Sequence, residues 1–299
     1  MLILNRSMWL NIKKVKIIDK DIENIAYKIL NDELEYLRKR FYPYKRRPFL
    51  RNKIILKLHK RQTIKNSAGY YTNCKTKKKY RYKHIIHITK DTIEMCEMFI
   101  DWNNKEVKDI LRPIIRHELI HAFVYEEWDT WDFEKIKNIN ADYSPIFLTC
   151  LYWANGNTNH IYTDKFYNTE LFQKVNKCSN YNEIQNLLIC YLLHFEKVLR
   201  KLSKNTETVW NDVSIYFNSR NSGLLNRKCI EINGITFKNG KLLKVNCYKL
   251  ELGVGFLITP EYLMEHYNSK FNNRDKSILY SKTKTYFDGD KIIAQVINN

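Results

Sequence analysis

The segment Arg116-His117-Glu118-Leu119-Ile120-His121 has the pattern H-E-x-x-H. In a helix, side chains four residues apart lie on one face about one turn from each other. Two imidazoles so placed can share a tetrahedral zinc ion. Glu118 stands beside them, where it can take a proton from a zinc-bound water, of pKa about 7, and pass it to a leaving amine. The residue types therefore point to a zinc cofactor and to peptide hydrolysis. Ile114, Ile115, Leu119, Ile120, Phe123 and Val124 flank the motif, as a buried metal-binding helix requires.

Two histidines do not complete a catalytic zinc site, so a third ligand must come from further along the chain. The metzincin extension needs Gly and His three and six residues after His121, but Val124 and Glu127 stand there, which excludes that class. Glu126 lies half a turn off the histidine face, and Glu134 follows closely. Asp142 heads Asp142-Tyr143-Ser144-Pro145-Ile146-Phe147, at the mouth of the next helix, from which a carboxylate can reach back to the metal. An Asp in that position also suits a helix cap. Asp142 is the first choice, with His160 and Tyr143 left open.

The elements that must position these groups are readable in outline. Ile22, Ile25, Ile29, Leu34 and Leu37 recur near helical spacing, predicting a helix from Asp19 or Asp21 to about Arg40. Pro43 and Pro48 interrupt it. Lys53 to Lys60, Tyr70 to Asn73 and His84 to Thr89 read as strands, with a turn at Ser67-Ala68-Gly69 and a lysine-rich hairpin tip between the last two. Helices are expected over Thr92–Trp102, Lys105–Glu126 (kinked or restarted at Pro113), Pro145–Trp153 and Tyr181–Leu202. Beyond about Thr206, Asn233-Gly234, Asn239-Gly240 and Asp288-Gly289 read as hairpin turns. The expected fold class is α+β. Residues 1–205 form a domain of helices and a small antiparallel sheet, and residues 206–299 form a smaller α+β domain with hairpins, suited to binding a substrate or partner.

The 299 residues carry a formal charge of +19, unevenly spread. Residues 36–83 hold 18 Lys and Arg and no acidic residue. An acid-free basic block calls for an anionic partner or full solvation. Arg46, Arg47, Lys77, Lys78, Lys79 and Arg81, with Tyr70, Tyr71, Tyr80 and Tyr82 interleaved, suit the phosphates and bases of DNA. No secretion signal and no long apolar run is seen, and the seven cysteines form no C-x-x-C pair. A protein of the reducing cytoplasm, neither membrane-spanning nor built on disulfides, is the expectation.

These segments together resemble the SprT-like metallopeptidases, relatives of the Spartan proteases, over roughly residues 20 to 165. Lys60-Arg61 followed by Ser67-Ala68-Gly69-Tyr70-Tyr71 looks like the family's basic residue and Ala-Gly turn. Leu111 to Phe123 is similar to its H-E-x-x-H helix, and Ser144-Pro145-Ile146-Phe147 to the segment after its third histidine. Tyr143 stands where that histidine would fall, and the zinc ribbon of some relatives is missing. The resemblance implies a zincin-like fold and a zinc protease acting on DNA-associated proteins, covalent DNA–protein adducts included. A DNA-binding module without turnover, and a peptidase without a nucleic-acid partner, are the two alternatives.

Overall fold

The computed structural model describes residues 6–44, 46–61, 67–75, 82–100, 104–131, 133, 136–142, 144–158, 160–204, 212–216, 230–238, 241–248, 260–261, 283–288 and 291–296. By its internal contacts the chain divides into two compact units, residues 1–127 with 150–158, and residues 128–149 with 159–299. These limits differ from a division at residue 205, a position outside the described residues.

In the first unit, helix α1 runs from Arg6 to Phe41. It begins well before Asp19 and Asp21, and residues 6–20 contain neither Gly nor Pro to interrupt it. Ile22, Ala26, Ile29, Leu37 and Phe41 are buried along one face. Three strands follow, β1 (Lys53–Leu58), β2 (Gly69–Lys75) and β3 (Tyr82–Ile88). Their order is β1-β3-β2, with β1 parallel to β3 and β2 antiparallel to it. The sheet is therefore mixed, not antiparallel as expected. Its most buried strand takes the centre, and the β2–β3 hairpin leaves β1 to pair on β3's far side.

Helix α2 (Lys90–Ile100) leaves the sheet directly. Its first turn is tied back to the Ser67-Ala68 bend: the Thr89 and Thr92 hydroxyls both donate to the Ala68 carbonyl, at 3.0 and 2.8 Å. Helix α3 (Asn104–Glu127) continues through Pro113 without restarting. Val107, Leu111, Ile115, Leu119, Ile120 and Phe123 are buried, the 3.6-residue stripe of a helix embedded in a core. Phe41, Phe49 and Phe123 close one end with ring centroids 4.6 to 5.3 Å apart.

The second unit contains β4 (Ile136–Lys137), and helix α4 (Pro145–Trp153) starts in it before its last residues join the first unit. Helices α5 (His160–Tyr167), α6 (Glu170–Val175) and α7 (Tyr181–Lys204) follow. Strands β5 (Asp212–Tyr216), β6 (Ile230–Lys238) and β7 (Lys241–Tyr248) extend β4 into a four-stranded sheet, while β8 (Thr283–Asp288) and β9 (Lys291–Val296) pair as a hairpin. Asn233-Gly234 is not a turn: it lies within β6, with Gly234 opposite Val245. The dipeptide suits a tight turn only where the flanking strands fold back, and β6 instead runs on to Lys238, which pairs with Lys241 of β7. Among the described residues no helix is long and apolar enough to cross a membrane, and no disulfide joins Cys74, Cys96, Cys150, Cys178 and Cys190.

Candidate metal centre

Helix α3 presents both motif histidines. Their ring centroids are 5.0 Å apart and inclined at 72°, with His117 half-buried and His121 buried. The ligand atoms of His117, His121 and Asp142 all lie within 4.8 Å of one another. Two imidazole nitrogens and a carboxylate oxygen at that spacing fit the three protein ligands of a catalytic zinc site, and they are donors that bind zinc well. Asp142 is thus the group that the described residues bring to the pair. Tyr143 and Glu134 lie outside them, and of His160 only its place at the start of α5 is described.

Glu118 is 5% exposed and turns toward the start of β2. A Cβ built on Gly69 would stand 3.5 Å from Glu118 Oε1, 3.0 Å from the His87 carbonyl oxygen and only 2.6 Å from Ile114 Cγ2. Glycine is required there by close approach, since Ile114 Cγ2 hangs on a stiff β-branched carbon and cannot swing away.

Strand β2 also supports His121. The Tyr71 ring stacks on it, centroids 6.2 Å apart and planes within 15°. Burial raises the Tyr71 pKa far above that of an ordinary phenol, so its hydroxyl stays protonated and donates to His84 Nδ1 at 2.7 Å. His84 Nε2 then donates to Glu126 Oε1 at 2.8 Å. Glu126 further accepts from the backbone amides of Arg51 and Asn52, both at 2.8 Å, and from Asn52 Nδ2 at 2.9 Å. Burial pushes this carboxyl up, but the His84, Arg51 and Asn52 hydrogen bonds outweigh it and hold the pKa at about 2. Glu126 therefore anchors the sheet to α3.

His117 is held from the other side. Its Nδ1 lies 3.3 Å from the Asn157 carbonyl oxygen. A carbonyl can only accept, so Nδ1 carries the proton and Nε2 keeps its lone pair for a metal.

The expected nucleic-acid residues divide. Arg46 is exposed. Arg47 lies over the Tyr42 ring, 3.6 Å from its centroid, and donates to Glu127 at 3.3 Å, contacts that pack the chain between α1 and β1. Lys77, Lys78, Lys79 and Arg81 fall outside the described residues. The sheet's outer face adds residues that the sequence reading did not single out. Lys53 pairs with Lys83 across β1 and β3, Lys57 pairs with His87, and all three lysines are exposed. The i, i+4 spacing of Lys53 and Lys57 in one strand is the signal that puts them on one face. No protein-family model, no curated protein and no solved structure matches the chain.

Proposed function

We propose that this chain is a zinc-dependent peptidase of the SprT-like kind, in which His117, His121 and Asp142 hold the metal and Glu118 is the general base and then the general acid. The observation that carries this reading is the convergence of those three ligand atoms within 4.8 Å, one residue away from a buried carboxylate. Zinc, when bound, supplies Lewis-acid polarisation of the scissile carbonyl and brings the pKa of a coordinated water to about 7. Glu118 takes the proton of the attacking water and returns it to the leaving amine nitrogen. Strand β2 has a strand partner on one side only among the described residues, and an extended peptide added along its other edge would pass close to Glu118.

A DNA-associated substrate is favoured by a separate observation. The outer sheet face carries Lys53, Lys57 and Lys83, and like charges directly opposite on neighbouring strands repel unless an anion lies between them.

The test is hydrolysis of an unfolded protein by zinc-loaded wild type and Glu118→Gln. The variant keeps stoichiometric zinc and loses roughly 100- to 10,000-fold of the cleavage rate. Zinc-loaded wild type without cleavage would transfer support to the binding-module reading, and Glu118→Gln cleaving like wild type would end the proposed mechanism.

A further inference from the structure

Arg116 precedes the first motif histidine, and its side chain leaves the metal face altogether. Nε and Nη2 donate to the two oxygens of Glu33 at 2.7 and 3.0 Å, a bidentate pair with a carboxylate on α1 that is fully buried. The third guanidinium nitrogen, Nη1, donates to the Asn155 carbonyl at 2.9 Å. The same guanidinium lies over Tyr36, 4.6 Å from the ring centroid. All three nitrogens are thereby committed, in a planar fork that lysine cannot reproduce.

The segment that Arg116 grips is the turn ending α4. Asn155 has φ of 52°, the left-handed conformation that reverses a chain leaving a helix, and its amide donates to Tyr36 Oη at 2.9 Å. Gly156 N closes the turn on the Leu151 carbonyl at 2.9 Å. A Cβ on Gly156 would press against the Leu151 side chain, which would have to shift to make room for it. Two residues past the carbonyl that Arg116 holds, the Asn157 carbonyl meets His117 Nδ1. The chain of contacts is Glu33 to Arg116, Arg116 to the turn, and the turn back to the imidazole adjacent to Arg116 in sequence.

We infer that Arg116, locked by Glu33, is a positioning residue that fixes the tautomer and ring orientation of His117 by holding the 155–157 turn against it. This rests on the reading of His117 as a metal ligand. A metal-binding imidazole needs its distal N–H engaged, and loss of such a partner typically weakens metal binding about 10- to 100-fold. Arg116 touches neither the metal ligands' donor atoms nor the substrate edge, so its effect is exerted through backbone carbonyls.

The experiment uses the full chain. Long-range ¹H–¹⁵N spectra of the metal-free protein report the His117 tautomer, and chelator competition reports zinc affinity, for wild type, Arg116→Lys and Arg40→Gln. Arg40 donates to the Trp153 carbonyl at 2.8 Å and so supports the same helix end without holding the turn, which makes it the control for general loosening. Wild type is expected to show Nδ1–H at His117. Arg116→Lys mixes the tautomers and weakens zinc binding by about 10- to 100-fold, while Arg40→Gln leaves both near wild type. An Nε2–H tautomer in wild type overturns the inference even if Arg116→Lys does not fold, as does a folded Arg116→Lys with wild-type tautomer and affinity. Wild type that shows Nδ1–H but binds no zinc would remove the peptidase reading and leave the positioning intact.

Discussion

Strand β3 carries a histidine on each face of the sheet, and the two are held by opposite kinds of neighbour. His84 faces α3 and donates to the ionised Glu126, with Tyr71 donating to its other nitrogen. His87 faces outward, its Nδ1 2.7 Å from His59 Nε2 and its Nε2 2.8 Å from Thr72 Oγ1, with the Tyr70 ring stacked 4.2 Å away. On the inner face a carboxylate fixes the direction of every proton and ties the strand to the motif helix. On the outer face an imidazole meets a second imidazole among lysines, so burial, His59 and Lys57 lower the His87 pKa to about 4. The same side chain on one strand is thus a structural anchor on one side and a buried group of lowered basicity, stacked on Tyr70, on the other.

Removing the inner carboxylate should break this contrast most severely. Glu126→Ala strands the Arg51 and Asn52 amides and His84 Nε2, and should cost about 3 kcal/mol or more in urea unfolding, the scale of a broken buried pair. In wild type that carboxylate's stabilisation is complete above about pH 4.5 and is lost as pH falls toward 2, because the folded state holds the carboxyl below its ordinary value.

The outer histidine should act in a different window. Its folded-state pKa lies below the ordinary 6.5, so the folded protein binds fewer protons than the unfolded chain between pH 6.5 and 4. Stability is full above pH 6.5 and declines on the way down to 4. His87→Gln should flatten the change in urea midpoint between pH 7 and pH 5, whereas an unchanged slope would assign it to other groups.

The smallest effect on the fold belongs to the lysines. Replacing Lys53 and Lys83 by Gln should alter stability by only tenths of a kcal/mol, in the stabilising direction at low salt, because a repelling pair is removed. With Lys57→Gln added, binding to single-stranded DNA should weaken and its log–log salt slope should shrink by about 2. A slope equal to that of wild type would dissociate this face from nucleic acid.

What could be read beforehand follows from the range of the interactions. The motif helix and α4, whose Pro145–Trp153 bounds match, are set by local periodicity and by Pro and Asn-Gly punctuation. The direction of β1 is not local, because nothing in Lys53–Leu58 says that Lys53 will meet Lys83 in parallel. Asn233-Gly234 carried a turn signal that pairing with β7 overrode. The roles of Glu126 and Arg116 were hidden for the same reason: Arg51, Asn52 and His84 lie 42 to 75 residues from Glu126, and Glu33 lies 83 from Arg116. Asp142 could be named because it heads a helix, but its convergence with the histidines is a property of the folded chain.

The gap between the first residue of β2 and the motif helix is narrower than a methyl group. Clearance there is set by hard contact with Ile114 rather than by a loop that breathes. Any backbone laid along the strand's outer edge would inherit that fixed offset, so its reach to Glu118 would be gauged by the omission of a single carbon atom.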